Sequence, residues 1–204
     1  MLASEDGGRY PYGHSMIVEG SEEHVLIDPS LSVAASAALP DIDRLLISHA
    51  HEDHLSGVFR YPAAPIHAHE ADVDGLRSLD GLMAVYGMAP ETEARWRREV
   101  VDRFYFVPRP DAVAFREGDR FDVGGAALHV IHLPGHTSGH SAFMLEPDGV
   151  LFLADIDRRC STSSGWWLAA TSSRSNRAGI SARAANPGGR RAIQSPVSFQ
   201  CRRV

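Results

Sequence analysis

The chain has 204 residues, 44% of them apolar and 23% charged, with a formal net charge of −6, which is the composition of one globular domain, or one with a tail, and excludes the disordered and fibrous classes. No stretch approaches the roughly 18 uninterrupted apolar residues of a membrane span, the opening MLASEDGGRYPYG lacks the basic-then-apolar pattern of a secretion signal, and two cysteines, Cys160 and Cys201, are too few for a disulfide framework, so the expected compartment is the cytoplasm. The charge is divided between two compositions: residues 1–157 carry all 26 acidic residues against 11 arginines, a balance of −15, whereas residues 158–204 carry nine arginines and no acid, a balance of +9.

Taken in chain order, Ser15–Val18 and His24–Ile27 are short apolar runs around the turn-like Glu19–Glu23, which predicts a hairpin ending at Asp28-Pro29. Ser32–Leu39 is alanine-rich and closed by Pro40, a short helix. Arg44–Ser48 (RLLIS) is expected as a buried strand, with HAHEDHLSG directly after it, and Pro65–Ala68 as a second short strand. Residues 70–104 are mainly helix formers with acid–base spacings such as Glu91–Arg95, broken near Gly87–Pro90. Strands follow at Val113–Arg116, Arg120–Val123, Ala127–His132, Ser141–Leu145 and Val150–Ala154, with the loop PGHTSG between the third and fourth. Strands grouped early and late around helices predict an α/β sandwich. From Arg158 the chain shows no sustained period and is dense in Ser, Arg, Ala and Gly, so it reads as a basic tail unable to bury enough apolar surface to order itself.

The chemistry concentrates in His49-Ala50-His51-Glu52-Asp53-His54. In an extended segment, residues two apart face the same side with Cα atoms roughly 6.5–7 Å apart, so His49 and His51 can converge on one ion. Asp53 and His54 lie where the chain turns and can reach a second. His136, in the loop after Ala127–His132, would complete three protein ligands and leave a position open for water, the arrangement of a catalytic zinc site. Asp155, ending the last strand, could bridge two ions through its two oxygens. His67 and His69 imitate the H-x-H pair, but no carboxylate follows in register, and a strand-end surface role is expected for them.

HAHEDH matches the H-x-H-x-D-H signature of the metallo-β-lactamase-fold hydrolases, which include glyoxalase II-like thioesterases, and the order VLIDP, HAHEDH, PGHTSGH, LFLAD resembles that family's order of motifs over residues 14 to 157. The resemblance implies an α/β, four-layer αβ/βα sandwich with a metal centre at one edge of two packed sheets. It implies that His49, His51 and His136 hold a first metal, that Asp53 and His54 hold a second, and that Asp155 bridges them. Asp28 matches a strand-end Asp that supports the metal loop, and His140 is a candidate to orient a ligand or touch substrate. The implied cofactor is Zn2+, one ion or two, with Fe or Mn as other occupants. The implied reaction is hydrolysis of an ester, thioester, amide or phosphoester by metal-activated water, with Asp53 orienting the nucleophile and moving protons. The expected partner is a small-molecule substrate, with neither nucleic acid nor membrane.

The family's second metal usually takes one more histidine after the bridging Asp, and this sequence has none after His140. Together with the compositional break after Asp157, this predicts a domain over 1–157 whose C-terminal half is incomplete. Residues 158–204 are then read as out of frame or from a degraded gene end, in preference to a genuine basic arm. Two other outcomes stand beside the hydrolase: a catalytically impaired remnant, and an iron-dependent sulfur dioxygenase of the same fold.

Overall fold

The computed structural model describes residues 9–155, together with a short parallel backbone pairing of Leu2–Ala3 with Arg202–Arg203. The tail expected from Arg158 otherwise lies outside the described residues.

Two sheets carry the domain. The first has five strands in chain order: β1 (Met16–Glu19), β2 (His24–Ile27), β3 (Arg44–Ile47), β4 (Ile66–His69) and β5 (Val113–Phe115). β1 and β2 form the predicted antiparallel hairpin, in register from Met16 opposite Ile27 to Glu19 opposite His24, and the remaining pairings are parallel. Parallel neighbours need long crossovers. These are supplied by α1 (Leu31–Ala35), α2 (Glu52–Leu55) with a 3-10 turn at Val58–Arg60, and the run α3 (Val73–Arg77), α4 (Leu79–Tyr86) and α5 (Pro90–Asp102). The second sheet is antiparallel, ordered β9–β8–β7–β6, from β6 (Arg120–Asp122), β7 (Ala127–His132), β8 (Ser141–Glu146) and β9 (Val150–Phe152).

Alternation along the strands sorts their side chains into two cores. Leu26, Leu45, Ile47, Ile66 and Ala68 face the helices, where they meet Leu76, Leu82, Met83 and Val100. Met16, Val18, Val25, Ile27, Leu46 and Phe115 point the other way, against Leu128, Val130, Phe143, Leu145 and Phe152 of the second sheet. Phe115 and Phe143 meet edge to face across this seam at 5.8 Å. Helices, sheet and sheet give three of the four expected layers; among the described residues no helix covers the outer face of the second sheet.

The hairpin also ties the two sheets together at its tip, where Ser21 and Glu22 donate backbone hydrogen bonds to Gly124 and Val123. A Cβ on Gly20 would lie 1.7 Å from the Val123 carbonyl oxygen, so only glycine permits this approach.

Two helical expectations are corrected. The helix expected over Ser32–Leu39 ends at Ala35, because the Arg60 guanidinium takes the carbonyls of Ala34 and Ser36 at 2.9 and 3.2 Å and the chain leaves extended at Ser36. The stretch 70–104 breaks at Ser78 as well as at Gly87: Ser78 is extended, and its hydroxyl accepts the Gly81 N–H at 2.9 Å to start α4. His69 is not a surface residue. It is buried, its ring stacked on His132 of the second sheet at 3.9 Å and 13°.

Truncating Phe143 to Ala is expected to cost about 3–5 kcal/mol, the range for a buried aromatic, measured by urea unfolding. A loss below about 1 kcal/mol would show that the two sheets do not share this core.

Candidate metal centre

The motif HAHEDH leaves the C-terminal end of β3. His49 is fully buried, and His51 caps α2 with an extended backbone (φ −113°, ψ 154°). The chain between them is not the extended run expected from the spacing but a bend at His49, closed by the His51 N–H on the His49 carbonyl at 3.1 Å. Asp53 and His54 fall inside α2, which turns them back toward the same point. His136 comes from the loop between β7 and β8, and Asp155 from the segment just beyond β9, past Ala154, whose φ is +50°. Donor atoms of His49, His51 and His136 lie within 4.8 Å of one another, and so do those of His49, His54 and Asp155. Asp53 adjoins the second group, with Oδ2 3.8 Å from His54 Nε2. Asp28 and His140 belong to neither group and flank them.

Three of the imidazoles are oriented by hydrogen bonds at Nδ1. Asp28, fully buried at the end of β2, accepts the Ser48 N–H at 2.7 Å, the Ser48 hydroxyl at 2.6 Å and His54 Nδ1–H at 2.8 Å. Because the Ser48 hydroxyl donates to Asp28, its oxygen accepts from His49 Nδ1–H, 2.9 Å away. His140 donates from Nδ1 to the Leu133 carbonyl at 3.2 Å. In His49 and His140 this leaves Nε2 as the lone-pair nitrogen, buried without a hydrogen-bond partner, whereas His54 Nε2 faces the Asp53 and Asp155 carboxylates at 3.8 and 3.6 Å. Uncompensated buried nitrogens aimed into one space fit a cation, and imidazole with carboxylate is a donor set for zinc, iron or manganese.

The two groups differ electrostatically. Burial, then the neighbouring histidines, lowers His49 well below the usual imidazole range, and burial with His136 brings His51 down to about 3, so both stay proton-free at neutral pH. Burial opposes a charge on His54, but the Asp53 and Asp28 carboxylates outweigh it and hold that imidazole well above its ordinary value. Burial likewise opposes the charge on Asp155, yet His54 and His136 hold it down at about 2. An ion entering the second group must therefore displace a proton from His54, whereas the His49 and His51 donors of the first are already free of one. His49 stands in both groups and, with Nδ1 engaged, has one nitrogen to give.

A family model for the metallo-beta-lactamase superfamily matches residues 9–190, which runs past the compositional break at Asp157. The chain belongs to this superfamily. Among its relatives, the hydroxyacylglutathione hydrolase of Ruegeria pomeroyi is 32% identical over 118 residues, covering 56% of this chain and 33% of the relative. The human acyl-coenzyme A thioesterase MBLAC2 is 24% identical over 162 residues, covering 69% and 56%. The chain thus spans from a third to somewhat over half the length of these relatives. The native FEZ-1 metallo-beta-lactamase of Legionella gormanii shares the fold with a TM-score of 0.51 at 23% identity, over 64% of this chain and 50% of that one.

Two supporting groups of this metallo-beta-lactamase domain escaped the sequence reading. Asp72, buried just ahead of α3, accepts the Ala50 N–H at 3.0 Å, the Thr137 hydroxyl at 2.6 Å and the Gly139 N–H at 2.7 Å. One carboxylate thereby fastens the HAHEDH loop to the His136 loop, and a Cβ on Gly139 would sit 2.6 Å from Asp72 Cγ. The second is Tyr86, at the end of α4, whose hydroxyl donates to the Glu52 carboxylate while its ring stacks on His51. Neither lies in the signature, and only the fold brings them to it. A cap of Thr or Gly beside an isolated Asp carries no pattern that points across 65 residues of chain.

Asp72→Ala would strand three donors in a buried site, and the expected loss is about 3 kcal/mol or more, read from urea unfolding. Stability within about 0.5 kcal/mol of the parent protein would contradict the fastening role.

Proposed function

We propose that this chain is a metal-dependent hydrolase of a small-molecule carboxylic ester or thioester, with its ion held by His49, His51 and His136. The observation that carries this reading is the convergence of those three donors within 4.8 Å beside the buried, partnerless Nε2 atoms of His49 and His140. Zinc is the first candidate, with iron and manganese compatible with the same donors. When bound, the ion supplies a Lewis acid and brings the pKa of a water toward neutrality. The names of the two curated relatives, a hydroxyacylglutathione hydrolase and an acyl-coenzyme A thioesterase, favour a thioester over an amide or phosphoester.

In this reading the chain's own groups divide the work. Asp53 is buried, and burial raises its carboxyl to about 6, so near neutral pH it is both ionised and basic enough to accept a proton from an attacking water. His54 and Asp155 form the opposite wall, 3.6 Å apart; the His54 cation, held in charge by its carboxylate neighbours, stabilises negative charge that develops beside it. The rigid seating of His49 and His54 on Ser48 and Asp28 keeps the donors in place without reorganisation during the reaction.

The competition for His49 leads to a stoichiometry. After removal of loosely held metal, elemental analysis is expected to find about one ion per chain; two tightly held ions would overturn the assignment of the first group as the sole strong site.

His51→Ala and Asp53→Ala are each expected to lower metal-dependent thioester hydrolysis by at least about 100-fold, followed by thiol release in a panel that also holds ester, amide and phosphodiester substrates. Parent-level turnover in either variant would sink the reading.

A further inference from the structure

His51 differs from His49, His54 and His140. His49, His54 and His140 are each aimed by a hydrogen bond at Nδ1, to Ser48, Asp28 and the Leu133 carbonyl. Among the described residues no hydrogen bond reaches either ring nitrogen of His51. Its backbone is held, with the N–H on the His49 carbonyl and the carbonyl accepting the His54 N–H, both at 3.1 Å, so only the side chain is left without a polar tether. An imidazole there has two rotatable bonds and nothing polar to fix them.

What holds the ring is a flat contact. The imidazole of His51 lies over the phenol ring of Tyr86 at 5.1 Å with an interplanar angle of only 4°. The other ring contacts of His51, to His49 and His136, are edge-on at 78° and 80° and come from the centre itself. Tyr86 is in turn fixed at its far end. Its hydroxyl donates to the Glu52 carboxylate and accepts the Glu52 backbone N–H at 3.1 Å. Glu52 is buried, so its carboxylate requires such a partner. The phenol of Tyr10, from the segment ahead of β1, leans on the same carboxylate. Trp96 of α5 braces Tyr86 from the side, edge-on at 6.0 Å and 89°. Tyr86 therefore has both a defined height, set by two bonds to Glu52, and a defined plane, set by Trp96. It transmits both to His51.

We propose that Tyr86, clamped at its hydroxyl by Glu52, is a positioning residue that fixes the imidazole plane of His51 for metal capture. The unassigned Glu at the centre of H-x-H-E-D-H thus acts through a phenol 34 residues away, doing for His51 by stacking what Ser48 and Asp28 do for His49 and His54 by hydrogen bonds. The proposal rests on the reading of His51 as a ligand.

The test uses the full chain, stripped of metal, then titrated with Co2+ or Zn2+ against a chromophoric chelator, with the visible spectrum of the Co2+ form as a second readout. Folding is checked by circular dichroism and thermal melting of the metal-free proteins. Tyr86→Leu, which removes the stacking ring, is expected to weaken binding by about 10–100-fold, the range for outer partners of metal-bound histidines, and to change the Co2+ bands. Tyr86→Phe keeps the ring but loses the clamp, and an intermediate loss is expected. Glu52→Gln keeps an oxygen that accepts the Tyr86 hydroxyl, and binding close to that of the parent protein is expected. Parent-like affinity and spectrum in Tyr86→Leu, with binding lost in His51→Ala, would overturn the positioning role alone. Parent-like binding in His51→Ala would instead overturn the reading of the centre. Should Tyr86→Leu fail to fold, Tyr86→Phe decides: affinity equal to that of the parent protein rejects the clamp.

Discussion

The buried carboxylate of Asp28 is the contact on which the rest of the site depends. It sits at a backbone φ of +51°, an uncommon conformation for a residue with a side chain, and it takes three hydrogen bonds from Ser48 and His54. Its own backbone is held in turn, with its N–H bonded to the Leu46 carbonyl at 3.0 Å and its carbonyl accepting the Ser15 hydroxyl at 2.5 Å. A buried carboxylate so satisfied is stable where an unpaired one would cost several kcal/mol. It therefore orders β1, β2, the end of β3 and α2 around one point, and the ring orientations of His49 and His54 follow from it.

A second carboxylate, Asp72, does the equivalent for the two loops. The HAHEDH loop belongs to the first sheet and the His136 loop to the second, and hydrophobic packing between the sheets is non-directional. Such packing brings the loops to the same end of the sandwich but cannot set them to tenths of an ångström. Hydrogen bonds from Ala50, Thr137 and Gly139 to Asp72, with one from Ser141 to the Ser48 carbonyl at 2.9 Å, supply that precision. The division of labour is general for sites on β-sandwich edges: apolar burial gives the approach, and a few buried polar contacts give the geometry.

The strands were readable because each face of the alternation meets a different core, so Val25, Leu26 and Ile27 had to be apolar whichever sheet face they served. Helix ends were less so: α1 stops where Arg60 takes its carbonyls, and the break at Ser78 rests on one hydroxyl, contacts that composition does not encode. His69 shows the same limit from the other side. Its spacing from His67 suggests an exposed strand end, but the second sheet folds over it and supplies His132 as a stacking partner.

The sequence by itself determined the donor types and their nearness along the chain, and the compositional division at Asp157 is a matter of counting; that His49 and His51 converge across a bend, and not along an extended run, was decided by the fold. Which donors meet was decided by the tertiary structure. His136 and Asp155 arrive from the opposite sheet, 87 and 106 positions beyond His49 in the numbering, and Asp53 is left beside the second group instead of within it. The positioning groups were decided there too. Asp28, Asp72 and Tyr86 work through hydrogen bonds and ring contacts that act only over a few ångströms, so nothing short of the folded chain could select them.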